Sequence, residues 1–233
     1  MMESIGKGYS ALVVGESGGI GGAVHAALSA DPNAGRLVGL SRRTYPGFDI
    51  TNEPSVADAA RVLSGEGPFD FVFDATGALT IDGIGPEKAL RAIDPSVMAR
   101  QFAVNAIGPA LLLKHFAPLM PRDRRAIFAT LSARVGSIGD NRLGGWISYR
   151  ASKAALNQIV RTAAIELSRT HPQSLVLALH PGTVETRLSA AFRGGHATVT
   201  PGVSAARLLA LVDRLPAQAS GGFYAHDGEA VVW

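Results

Sequence analysis

Six short apolar runs, separated by helix-like stretches, constrain this chain more than any other feature. The strand-like runs are Tyr9–Val14, Leu37–Leu40, Phe69–Phe73, Ala126–Leu131, Leu175–Leu179 and Gly222–Ala225. Most are continuously apolar rather than alternating, as strands covered on both faces should be. Between them lie Ile20–Ser29, Ser55–Leu63, Pro95–Leu119, Ile147–Arg169 and Val203–Leu215, which read as helices. This alternation predicts an α/β fold with a doubly wound, mainly parallel sheet and helices on both faces. With 233 residues, 47% of them hydrophobic, the chain can build one such core. No repeat, linker or low-complexity tract divides it, so residues 1–233 are expected to form a single domain.

Composition removes several functional classes. The 22 Lys and Arg against 19 Asp and Glu leave a net charge of +3, and the basic residues are dispersed. The one small cluster, Arg122, Arg124 and Arg125, is too sparse for a nucleic-acid groove. The chain has no cysteine, which excludes disulfides, thiolate catalysis and cysteine-ligated metals, and no metal site is expected. The N-terminus lacks a signal-like apolar core, and no unbroken apolar run approaches the ~18 residues of a membrane span. A cytoplasmic protein without a membrane partner is therefore expected.

Ligands bind such sheets beyond the carboxyl ends of the strands, so the residues after each strand carry the functional signal. The first run ends in Gly15-Glu16-Ser17-Gly18-Gly19-Ile20-Gly21 and passes directly into a helix. Glycines there allow a tight turn and close backbone approach to a pyrophosphate, which a helix N-terminus favours. The spacing is G-x-x-x-G-x-G rather than G-x-G-x-x-G, yet it points to a Rossmann-type dinucleotide site. After the second run, where an NAD-type site carries an acid, stand Ser41-Arg42-Arg43. Arginine suits a 2′-phosphate, so NADP(H) is expected over NAD(H). Asp49 and Ile50 are placed to meet an adenine edge. Asp74-Ala75-Thr76-Gly77 closes the third run with a small turn that leaves room for the cofactor.

Tyr149 and Lys153 stand four residues apart at the start of a helical segment, and so share a face. A nearby ammonium favours phenolate and lowers a tyrosine pKa from ~10. Such a tyrosine can donate a proton to a carbonyl oxygen or remove one from an alcohol. A lone tyrosine–lysine pair is common on protein surfaces; its weight here comes from the glycine loop beside it.

The glycine loop, Asp74–Gly77, Asn105, the Ser132–Gly136 stretch, Tyr149 with Lys153, and Pro181-Gly182 occur in one order. In that order they resemble the short-chain dehydrogenase/reductase family. The stretch from Ser132 to Lys153 is most similar to its C-factor-like and sniffer-like carbonyl reductases. The resemblance implies an NADP(H)-dependent enzyme that interconverts a carbonyl and an alcohol by hydride transfer. It places Tyr149 as acid/base, with Lys153 lowering its pKa and holding the nicotinamide ribose, and Asn105 supporting a proton-relay water. Gly15, Ser17, Gly19, Ile20 and Gly21 would cradle the pyrophosphate. Ser41, Arg42, Arg43, Asp49 and Ile50 would frame the adenosine, beside Ala75 and Gly77. Pro181, Gly182, Val184 and Thr186 would lie against the carboxamide and diphosphate side. A homodimer or homotetramer through the two long helices is also implied.

The chain departs from the family pattern where it matters for catalysis. The usual serine, three residues before Gly136, is Ala133. Ser132 or Ser137 could supply the missing hydroxyl, and Ser132 is favoured because it stays at the carboxyl end of the strand. The substrate loop is expected at about residues 183–201. Together with residues 143–147, the side chains Trp146, Ile147, Leu188, Ala191 and Phe192 suggest an apolar pocket for a small carbonyl or alcohol. The rival reading is a non-catalytic dinucleotide-binding signalling or sensor protein, which Ala133 favours and the intact Tyr149 and Lys153 oppose.

Overall fold

The computed structural model describes residues 2–190 and 197–233. Six strands, β1 (Tyr9–Val14), β2 (Ala34–Leu40), β3 (Phe71–Asp74), β4 (Ala126–Leu131), β5 (Ser174–His180) and β6 (Phe223–Ala225), form one sheet. The strand order is β2-β1-β3-β4-β5-β6, and every pairing is parallel. The chain leaves β1 toward β2 and then returns to place β3 on the other side of β1. The switch point therefore lies above the carboxyl ends of β1 and β3, where such sheets bind ligands.

Two apolar cores sandwich the sheet because successive strand residues face opposite sides. Leu12, Val14 and Phe128 join Val56 and Ala59 of α2 (Glu53–Leu63), Leu112 and Phe116 of α4 (Gly108–Phe116), and Leu156 and Val160 of α5 (Ile147–Leu167). Val13, Phe73 and Ile127 join Val24 and Leu28 of α1 (Gly19–Ser29) with Leu208 and Leu209 of α6 (Pro201–Arg214). Two helices, α2 and α6, start earlier than apolar periodicity suggests, because caps and prolines set them. Asn52 caps α2 and Thr200 caps α6 through their side chains, each ahead of a proline in the first turn.

The stretch Pro95–Leu119 is not one regular helix. It runs as α3 (Pro95–Phe102), a π-helical segment (Ala103–Ile107) and α4. By length and composition this stretch is apolar enough to cross a membrane, although it holds no unbroken apolar run of that length. In the fold its apolar residues Leu112, Leu113 and Phe116 are buried in the core between helices and sheet.

Candidate active site

The turn after β1 requires glycine twice over. Gly15 has φ +81°, and a side chain on Gly21 would run into the Gly15 carbonyl oxygen. Gly15, Ser17, Ser41, Arg42, Asp49, Ile50, Ala75 and Gly77 line a common cleft of about 370 Å³, joined by Phe48, Thr51, Thr76 and Val104 among others. The expected adenosine and phosphate residues thus converge above the switch point. Gly19, Ile20 and Gly21 form the first turn of α1 beside this cleft rather than lining it. Ile20 packs on the core, and Gly19 leaves space for the Thr186 methyl group, which would sit 2.7 Å from a Cβ there.

The residues after β2 correct the sequence reading. No acid follows that strand, but Glu16 reaches it from the glycine loop and is buried there. Ser41 Oγ donates to Glu16 Oε1 at 2.7 Å, and Arg43 Nη2 donates to Glu16 Oε2 at 2.8 Å. Burial pushes the Glu16 carboxyl up, but the bonds from Ser41 and Arg43 outweigh it and hold the group below the usual carboxylate range. Arg43 is therefore engaged by a carboxylate, and Arg42 is the arginine that lines the cleft. Only a search beyond the strand end, for acids in the loop next door, could have found Glu16.

Tyr149 and Lys153 lie on the buried face of α5, as their spacing predicts. The Lys153 Nζ atom donates to the Leu131 carbonyl oxygen at 2.9 Å and lies 3.3 Å from where a Gly77 side chain would begin. It thus reaches the floor of the cleft. The expectation that Lys153 lowers the Tyr149 pKa is not what this geometry gives. Burial pushes the Tyr149 phenol up to about 12. Burial likewise brings Lys153 down to about 8, with the buried Asp74 carboxylate pulling the other way. Asp74 accepts from Thr130 Oγ1 at 2.6 Å and from Thr76 N at 2.9 Å, yet burial raises its own pKa. The Tyr149 hydroxyl makes no hydrogen bond to any described residue, whereas Trp146 packs edge-on to its ring with centroids 6.4 Å apart.

Asn105 sits in the π-helical segment and clamps the chain leaving β3. Its Oδ1 accepts from Ala78 N at 2.9 Å, and its Nδ2 donates to Ala78 O at 2.8 Å. Its Nδ2 also donates to Gln101 Oε1 at 2.5 Å, so both ends of the amide are engaged within the fold. The serine expectation also needs correction. Ser132 Oγ donates to Asn157 Oδ1 at 2.6 Å, and Ser137 Oγ donates to the Val232 carbonyl oxygen. A hydroxyl has one proton to give, so both donors are spent on the fold. Ser132 is drawn toward α5 because Asn157 continues the Tyr149–Lys153 face by one more turn.

On the far side of β5, Gly182 (φ +78°) backs onto His226, whose Cδ2 would be 2.6 Å from a Cβ at that position. His226 thus accounts for that glycine without a cofactor. His180 is structural, as its Nδ1 accepts from Arg134 N at 3.3 Å and burial brings its pKa down to about 4. Pro181 accepts from Ser204 Oγ at 3.0 Å through its carbonyl. The substrate loop is closed at its base, where Val184 pairs with Val199. Ala191 and Phe192 lie outside the described residues.

Parallel sheet, glycine turn and the tyrosine–lysine face together define a dinucleotide-binding oxidoreductase fold. A family model described as enoyl-(acyl carrier protein) reductase matches residues 4–213. The chain is 36% identical over 189 residues to 1-hydroxy-2-glutathionyl-2-methyl-3-butene dehydrogenase of Rhodococcus sp. (strain AD45), covering 81% of this chain and 79% of that protein. It is 33% identical to the C-signal protein of Myxococcus xanthus over 168 residues, 72% of this chain and 94% of that one. Among solved structures, a short-chain dehydrogenase/reductase from Burkholderia multivorans with bound NADP superposes with a TM-score of 0.77 at 26% identity, covering 97% of this chain and 99% of that one. The carbonyl reductase Sniffer of D. melanogaster shares the fold at a TM-score of 0.82 and 22% identity, over 96% and 99% of the two chains. The chain belongs to the short-chain dehydrogenase/reductase family and is an oxidoreductase of that family.

Proposed function

We propose that this protein is an NADP(H)-dependent carbonyl reductase in which Tyr149 delivers the proton. The observation that carries the reading is the position of the Lys153 ammonium, 3.3 Å from a Cβ built on Gly77, a residue of the cleft floor. The cleft fits a dinucleotide, since Gly15 and Gly21 let the turn fold tightly at its edge and Arg42 lines the adenosine end. NADPH bound there would supply the hydride. Backbone amides of the glycine loop at the start of α1 would hold the pyrophosphate, Arg42 the 2′-phosphate and Lys153 the nicotinamide ribose. Tyr149, kept protonated at neutral pH by burial, suits donation to an oxygen that becomes an alkoxide.

The substrate is a small carbonyl compound with an apolar part, received beside Trp146, Ile147 and Leu188. Purified protein mixed with NADPH and a panel of aldehydes and ketones tests the reading. Coenzyme consumption that depends on both protein and carbonyl supports it, and none across the panel, with NADPH still bound, favours the rival. That rival is a dinucleotide-binding signalling or sensor protein, favoured by Ala133 and by the engaged hydroxyls of Ser132 and Ser137. A groove of about 580 Å³ between α4 and α5, lined by Leu113, Ala117, Ile159, Ala163 and Leu167, supports a homo-oligomer formed through those helices. Light scattering of the purified chain checks its mass.

A further inference from the structure

The glycine loop of this chain carries a carboxylate where backbone alone would serve. Glu16 follows Gly15 directly, and its side chain turns to the carboxyl end of β2 rather than to solvent. The fold makes room for it. A Cβ on Gly39 would lie 2.7 Å from Glu16 Cγ and 3.3 Å from the His25 ring, so the second strand is bare at that point. The carboxylate then accepts hydrogen bonds from the Ser41 hydroxyl at 2.7 Å and the Arg43 guanidinium at 2.8 Å. Ser41 Oγ in turn accepts from Arg43 N at 3.2 Å.

This network decides which donors the adenosine end of the cleft can offer. Ser41 and Arg42 line the cleft, and Glu16 stands behind Ser41. A 2′-phosphate only accepts hydrogen bonds, and needs donors or positive charge. Ser41 has already given its proton, and Arg43 is neutralised by Glu16. Among the described residues, Arg42 is the cation of this strand end that makes no ion pair. A 2′-hydroxyl makes no such demand, and loses nothing when those donors are withheld.

We propose that Glu16 is a positioning residue that sets coenzyme choice by withholding Ser41 and Arg43 from the 2′-phosphate, so that its charge narrows the preference for NADPH over NADH. The proposal rests on the dinucleotide reading of the cleft. Glu16 is buried and holds the pair from within, whereas the Arg43 side chain is largely exposed, so the guanidinium has room to move once the carboxylate is gone.

Fluorescence titration of wild type, Glu16→Gln and Glu16→Asp with NADPH and with NADH tests it. Glu16→Gln should tighten NADPH about tenfold or more, the scale of one charge-assisted contact, and leave NADH within a few-fold. Glu16→Asp, which restores the charge, should return the ratio toward that of wild type, a rescue that a merely structural role would not give. Thermal melting identifies a variant that fails to fold. In that case wild-type protein titrated with 2′,5′-ADP and 5′-AMP supplies the second measurement, and Arg43→Ala should cost the bisphosphate less than threefold. An unchanged or lowered NADPH-to-NADH preference in Glu16→Gln overturns the proposal, as does a large loss of 2′,5′-ADP binding in Arg43→Ala. Wild-type protein that binds neither coenzyme overturns the dinucleotide reading, and the proposal with it.

Discussion

Lys153 Nζ lies 2.9 Å from the carbonyl oxygen of Leu131, the last residue of β4. That bond fixes the ammonium to the strand end, beneath the cleft, instead of to the Tyr149 phenol one turn away. The consequence is a division of labour. On the proposed reading, Lys153 is a charge at the coenzyme side, and Tyr149 is a buried phenol whose proton goes to a substrate oxygen. Ionising the phenol in a buried site is costly, which is why burial pushes the Tyr149 pKa up to about 12.

Tyr149→Phe is therefore expected to cut carbonyl reduction by ~10²–10⁴-fold. Coenzyme affinity should stay within a few-fold, because the ring and its packing against Trp146 remain. Steady-state assays with matched NADPH titrations measure both. Retention of more than a tenth of wild-type activity would remove Tyr149 from the acid role.

The pH profile should report Lys153. Its pKa lies near 8 because burial lowers it further than Asp74 raises it. The rate constant kcat/KM for reduction should thus decline above about pH 8, as the ammonium is lost. Asp74→Asn removes the opposing charge and should move that limb to lower pH. Stability follows the same group with the opposite sense. The folded state sheds its proton before the unfolded chain does, so this contribution to stability rises with pH from about 8 to the unfolded value. A limb that does not move in Asp74→Asn would separate Lys153 from the profile.

On the proposed reading Arg42, which lines the cleft, would carry the 2′-phosphate contact. Arg42→Ala should weaken NADPH by about ten- to a hundredfold and leave NADH nearly unchanged, in keeping with a charge-assisted hydrogen bond of ~1.5–3 kcal/mol. Parallel titrations decide it, and equal losses for both coenzymes would assign Arg42 to another part of the molecule.

Much of this was legible in the sequence, for reasons that can be named. Buried parallel strands are continuously apolar, so Val13, Phe73 and Ile127 announced the sheet, and Gly15 announced the turn above it. Tyr149 and Lys153 were legible because helical spacing puts residues four apart on one face. What the sequence hid was long-range. Nothing in the run around Glu16 shows that its side chain crosses to Ser41, 25 residues on. The spacing of Tyr149 and Lys153 also could not show that the ammonium would find Leu131 O, or that burial would govern both pKa values. Asn105 was visible as a polar residue in an apolar helix, but its two bonds to Ala78 depend on tertiary packing.

The missing serine gives the sharpest test of the active site. Ala133 has extended backbone, with φ −147° and ψ 144°, so its side chain points away from that of Ser132. Ser132 is bonded to Asn157 on the buried face of α5, so on the proposed reading position 133 is the one that would face the substrate. Ser132→Ala should then cost stability, about 1–2 kcal/mol for a buried bond whose partner is left unpaired, with less than a tenfold effect on turnover. Ser137→Ala should behave likewise, since its hydroxyl ties the chain to Val232. Ala133→Ser should raise reduction about tenfold or more, because a donor at a developing alkoxide can be worth ~10²–10³-fold when well placed. Melting temperatures and kcat for the three variants on one aldehyde separate the roles. A hundredfold loss of turnover in Ser132→Ala with an unchanged melting temperature would return the catalytic hydroxyl to Ser132, and a silent Ala133→Ser would show that this enzyme stabilises its alkoxide by other means.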